Sequence, residues 1–98
     1  MRRILAKSTL RIFWEKHRDS EQYLKTWYET ARKANWKAPA EVKAAYRHAS
    51  ILANNRVVFN IKGNDYRLVV KINYERRWVF IRFIGTHSAY DRIDATMI

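Results

Sequence analysis

Ninety-eight residues are enough for one compact domain with a buried core but leave little room for a second site, so residues 1–98 are expected to form a single domain. Apolar residues make up 48% of the chain and aromatics 14%, which excludes a disordered tail; zero cysteines exclude disulfides, thiolate metal sites and cysteine nucleophiles. Twenty Lys and Arg against nine Asp and Glu give a net charge of +11, the electrostatic footprint of a nucleic-acid partner, with a solvated basic surface or an acidic protein partner as the alternatives.

Arg2 to Leu5 is a short apolar start suited to an edge strand, and Ser8 or Thr9 is a plausible N-cap for a helix carrying Leu10, Phe13, Trp14 and His17 at helical spacing. Asp19 with Gln22 resembles a capping box and opens a second helix, whose inner stripe is Leu24, Trp27, Tyr28, Ala31 and Ala34. The two form a helical hairpin. Lys37, Ala38 and Pro39 break the pattern before a third, shorter helix with Val42, Ala45 and Tyr46 on one face.

After Ser50 the period changes to alternation. Arg56 to Lys62 sets Val57, Phe59 and Ile61 against Val58, Asn60 and Lys62. Gly63, Asn64 and Asp65 make a turn rather than a phosphate cradle, and Tyr66 to Tyr74 resumes the alternation. Glu75, Arg76 and Arg77 turn the chain into a third strand, Trp78 to Ile84, with Val79, Ile81 and Phe83 opposite Trp78, Phe80, Arg82 and Ile84. Helices first and a three-stranded meander after them predict an α+β fold, a small antiparallel sheet with the N-terminal helical hairpin packed on one face. The other face should carry Lys62, Arg67 and Lys71, joined by Arg82 unless a bulge reverses the register.

Thr86 to Arg92 gathers an imidazole, a phenol and a carboxylate within five positions. Cleavage of RNA through its own 2′-OH needs a base, an acid and cations for the phosphoryl oxygens, and this chain supplies each. His87 is the proton-transfer candidate because a free imidazole titrates near working pH; otherwise it caps or packs at a strand end. Tyr90 can donate to a phosphate, stack on a base or plug the core. Asp91 either orients a basic partner or caps a turn, and the structural role is favoured. Arg67 and Arg82 are phosphate clamps, with Lys62 in the same role and Lys71 and Asn64 as further RNA contacts. Trp14, Trp27, Trp36 and Trp78 are assigned to packing rather than base stacking. His17, His48 and His87 lack close-paired ligand spacing, so no metal or other cofactor is expected. No apolar run approaches the roughly 18 residues of a membrane span, and the expected location is cytoplasmic, with no membrane partner.

The run Val58 to Leu68, followed by Phe83, Ile84, Gly85, Thr86, His87, Tyr90 and Asp91, closely resembles HigB-type toxins of type II toxin–antitoxin systems, and Trp36, Pro39 and Val42 match the segment before the sheet. The resemblance implies a RelE-like fold and an mRNA interferase, an endoribonuclease that cleaves mRNA on the translating ribosome. It also implies contact with ribosomal RNA, a HigA-type helix-turn-helix antitoxin as partner, and functional roles for Lys62, Arg67, Arg82, His87 and Tyr90. Many relatives place an acidic residue just before the tyrosine, where this chain has Ala89, and with Ile98 soon after the motif no long tail is expected to contribute to the site. The competing readings are a noncatalytic ribosomal-RNA-binding module and an inactive relic that only binds antitoxin.

Overall fold

Val57, Phe59 and Ile61 alternate with polar or opposite-facing residues, and that period decides which side of a strand meets the helices. The computed structural model describes residues 1–98, which form β1 (Arg3–Leu5), α1 (Lys7–Lys16), a 3₁₀ turn (Arg18–Ser20), α2 (Glu21–Lys33), α3 (Pro39–Ala45), β2 (Ser50–Ile51), β3 (Arg56–Ile61), β4 (Tyr66–Asn73), β5 (Trp78–Thr86) and α4 (His87–Tyr90). The strands make one sheet in the order β1-β5-β4-β3-β2. The expected α+β architecture and the three-strand meander are both present. Two strands extend it: β1 runs parallel to β5, and β2 pairs antiparallel with β3. Asn54 and Asn55, both at φ +60°, make the β2–β3 connection, and asparagine is one of the few residues that tolerates this left-handed backbone.

The helical stripes dock on one sheet face. Leu10 and Trp14 of α1, Leu24, Trp27 and Ala31 of α2, and Val42 of α3 pack with Val57, Phe59, Ile61, Leu68, Val70, Ile72, Val79 and Ile81. Phe59 is at the centre of an aromatic box. Its ring meets Trp27 at 5.4 Å, Trp36 at 6.2 Å and Tyr46 at 5.1 Å between centroids. Because Phe59 is 1% exposed, Phe59→Ala should cost about 3–5 kcal/mol. In a domain of this size that lowers the thermal midpoint by at least ~12 °C, measurable by calorimetry.

Helix starts differ from expectation. Ala6, not Ser8 or Thr9, precedes α1, and neither Ala6 nor Ser20 caps its helix through a side chain. Asp19 does not form the expected capping box either. It lies in the 3₁₀ turn, where its carboxylate accepts from the Tyr66 hydroxyl (2.6 Å) and the Lys62 ammonium (3.1 Å). A long-range ion pair and a phenol have displaced a local cap.

On the opposite sheet face a second, smaller cluster joins Val58, Val69 and Ala95, with Leu52, Phe83, Tyr90, Ile93 and Ile98 against it. The segment after α4 therefore folds back over β3 and β4. Arg56 fastens it: the buried guanidinium donates through Nε (3.0 Å) and Nη2 to the Ile98 carbonyl and through Nη1 to Asn54 O (2.9 Å). Short as it is, the segment after α4 backs the site, since Ile93 and Ile98 belong to the same cluster as Tyr90.

Candidate active site

The register of β4 against β5 shifts between Val69 and Val70. Val69 pairs with Phe83 and Val70 with Ile81, so Arg82 is an extra residue with no partner. A bulge of this kind reverses the alternation beyond it. Trp78 and Phe80 keep the helix-free face, but Phe83 joins them there and Ile84 turns to the main core, opposite to the simple alternating prediction. Arg82 is exposed, with its guanidinium 5.9 Å from the centre of the Phe80 ring, so it stays on the helix-free face.

Arg67 lies on that face too, paired with Asn60 on one side and Gly85 on the other. Its Nη1 donates to the carbonyls of Asn64 (3.2 Å) and Tyr66 (3.4 Å). Lys71 is opposite Phe80 and Arg56 on the same face. Lys62 does not join them. At φ +53° it has left the strand for the turn, and its ammonium reaches Asp19 on the helix side and Asp65 (3.3 Å). Two carboxylates outcompete the open sheet face for this cation, and they push its pKa up.

The Asp19 carboxyl is held below the usual carboxylate range, first by the Tyr66 hydroxyl and then by Lys62, while the same carboxylate pushes the Tyr66 phenol up. The Asp19 contribution is present above the ordinary value of 3.8 and is lost as pH falls through the lower folded value. The phenol's contribution holds below its ordinary 10.0 and is lost as pH rises toward its higher folded value. Asp19→Ala should thus lower the thermal midpoint near neutral pH, with the gap from the parent closing below pH 3.8, as a pH series of melts will show.

At the end of β5, Thr86 caps α4 by accepting from Ala89 N–H at 3.2 Å, and His87 N–H donates to Asp65 O at 3.2 Å, tying α4 to the β3–β4 turn beside Arg67. His87 Nδ1 is 3.0 Å from Asp91 Oδ2, one helical turn on. Asp91 closes α4 as its C-cap, the structural role favoured from the sequence, and its carboxylate also holds the imidazole. In the neutral tautomer that donates Nδ1–H to Asp91, Nε2 is free to accept a proton. The pair is open to solvent, with side chains 51% and 58% exposed.

Tyr90 is half-buried, its ring 6.5 Å from that of Phe83. Phe83 in turn covers Gly85, where a Cβ would come within 2.5 Å of the phenyl ring. Glycine at that position lets Phe83 lie flat enough to back Tyr90. His87, Tyr90 and Arg67 thus gather at one end of the sheet, while Arg82 lies farther along β5 and Lys62 on the other side of the turn. Asn64 is exposed beside Arg67, and with Asn60, Gly63, Arg47 and His48 it lines a cleft of about 620 Å³ between the β3–β4 turn and the α3–β2 connection. Trp14, Trp27 and Trp36 are buried as expected; Trp78 is not, being half-exposed on the helix-free face. No helix is long and apolar enough to cross a membrane.

Comparison with known proteins places these features in a family. The HigB toxin family, described as the RelE-like toxic component of a toxin–antitoxin system, matches residues 20–93. The chain is 27% identical over 90 residues to the mRNA interferase toxin HigB of Escherichia coli strain K12, covering 90% of this chain and 86% of the relative. It is 22% identical over 92 residues to the mRNA interferase HigB of Escherichia coli O6:H1, covering 92% and 89%. The match runs from the start of α2 through the sheet to the segment behind Tyr90, and on that extent the chain belongs to the HigB family of RelE-like toxins.

Proposed function

We propose that residues 1–98 act as one toxin domain, a ribosome-dependent endoribonuclease that cuts messenger RNA by attack of a ribose 2′-OH on the adjacent phosphate. The P–O5′ bond breaks, leaving a 2′,3′-cyclic phosphate and a 5′-hydroxyl. The observation that carries this reading is the His87 Nδ1 to Asp91 Oδ2 contact of 3.0 Å, which holds the ring through one nitrogen and leaves Nε2 for proton transfer. His87 and Tyr90 share the two proton transfers, removal from the 2′-OH and delivery to O5′. Arg67 neutralises charge building on the phosphoryl oxygens, Arg82 and Lys71 hold the strand, and Asn64 borders it.

Dependence on the ribosome is supported by the shape of the site. His87 and Arg82 are exposed and Arg67 and Tyr90 half-exposed, so these groups act from an open surface. Positioning supplies much of an enzyme's rate, and an open site must take it from elsewhere. The ribosome, holding message and offering ribosomal RNA to a +11 chain, is that source. An antitoxin of the HigA helix-turn-helix type would then act as the partner, and the α1–α2 hairpin offers it exposed Ile12 and Tyr23 away from the site.

Induced alone and mapped by RNA ends, the toxin should cut translated message. In vitro, cleavage should persist in EDTA at a magnesium level just sufficient to hold ribosomes together, and the new 3′ end of the upstream fragment should carry a cyclic or simple phosphate. A 3′-hydroxyl product would rule out 2′-OH attack.

A further inference from the structure

Along β5, leading away from Arg82, guanidinium groups and aromatic rings alternate. Arg82 lies over Phe80, Phe80 meets Trp78 at 6.2 Å and 70°, and Trp78 carries Arg3 at 5.3 Å and Arg76 at 5.4 Å. Parallel pairing of β1 puts Arg3 directly beside Trp78. Antiparallel pairing puts Lys71 beside Phe80 and Asn73 beside Trp78. All lie on the helix-free face, and none of the four cations Arg3, Lys71, Arg76 and Arg82 is held in an ion pair. Glu75, exposed in the neighbouring turn, is the one carboxylate among residues 74–77.

Packing does not account for these rings. The segment after α4 covers Val58, Val69 and Phe83 but neither Trp78 nor Phe80, which are left half-exposed at the other edge of the sheet. Half-exposed aromatics interleaved with unpaired cations match single-stranded nucleic acid, whose phosphates seek the cations and whose unpaired bases offer faces to the rings. A duplex would hide those faces.

We propose that Arg82, Phe80, Trp78, Arg76 and Arg3 form a track for the single-stranded message on one side of the cut, extending the site by a few nucleotides along β5. The inference rests on the endoribonuclease reading, because the track begins at Arg82, the arginine assigned to the strand being cut. Alternate residues of a strand are about 7 Å apart, so the two rings repeat in one direction from that arginine and lead the same strand onward.

The test uses fluorescent, 2′-O-methylated single-stranded RNAs of about four and about twelve nucleotides, which cannot be cut, with binding followed by anisotropy. The parent should bind the longer strand more tightly, and Trp78→Ala should remove at least ~10-fold of that advantage. Trp78→Phe should restore most of it, and Arg76→Gln, in an exposed turn where folding is not at stake, should flatten the salt dependence by a log–log slope of about 0.7. An unchanged length advantage in both Trp78→Ala and Phe80→Ala would overturn the track. So would equally tight binding of a strand whose outer nucleotides lack bases. On programmed ribosomes, a benzophenone side chain installed at Phe80 should cross-link to message; cross-linking to ribosomal RNA instead would overturn the assignment to message. A parent that binds with the length advantage yet never cuts message would defeat the endoribonuclease reading and leave the track standing.

Discussion

Replacing His87 by glutamine should lower cleavage of ribosome-bound message by at least ~100-fold, the scale of losing a positioned general acid or base. The ring is exposed and makes one side-chain contact, so the thermal midpoint should hardly move. Asp91→Asn tests the arrangement separately. An amide at the same place can still hold the ring, but it can donate as well as accept and so select the other tautomer. Cleavage should fall there too, whereas a carboxylate that merely ended the helix would leave the rate unchanged. If His87→Gln cuts at the parental rate, proton transfer belongs to another group.

Tyr90→Phe separates the phenol's proton from its ring. The ring keeps its contact with Phe83 while the hydroxyl is lost, so a retained rate would assign Tyr90 to stacking and a fall would assign it to proton transfer.

How much of this arrangement could be read from the sequence depended on whether the interactions were local. Alternation in Val57 to Ile61 and Tyr66 to Ile72 gave the sheet and its helix-facing side, because one buried face forces period two. Helical spacing in Leu24, Trp27 and Ala31 likewise gave α2. The grouping of His87, Tyr90 and Asp91 was legible because all three sit in one short turn. Lys62 was misplaced for the opposite reason: its partner Asp19 is 43 residues away, and no period predicts such a pair. The bulge at Arg82 was also silent, since the strand Trp78 to Ile84 reads as unbroken alternation whether or not a residue is extra. Trp78 was grouped with Trp14 and Trp27, whose apolar helix stripes argued for packing, and only the distribution of cover over the helix-free face left it half-exposed. One missed signal was present: the Asn54-Asn55 pair, at which a tight turn and hence a short strand at Ser50–Ile51 could have been recognised.

The two arginines on the helix-free face should prove unequal and independent. In the free protein they point apart: the Arg67 guanidinium donates toward the β3–β4 turn, at Asn64 and Tyr66, whereas Arg82 leans over Phe80 toward the far end of β5. Arg67 is opposite Gly85 and near the start of α4; in the proposed endoribonuclease it meets the phosphate that His87 serves, and Arg82 meets a neighbouring one. Arg67→Ala should therefore slow cleavage about 100- to 1,000-fold even at saturating substrate, as expected when one transition-state donor is lost. Arg67→Lys should recover little, because a single ammonium lacks the planar fork. Arg82→Ala should act mainly on affinity and lose strength as salt rises, since its phosphate contact is made equally before and during the reaction. Groups gripping different phosphates contribute additively in free energy, so the double variant should be impaired by nearly the product of the single effects. A double variant whose kcat/KM is no lower than that of Arg67→Ala alone would place both guanidinium groups on one phosphate and require Arg82 to swing away from Phe80 when RNA binds.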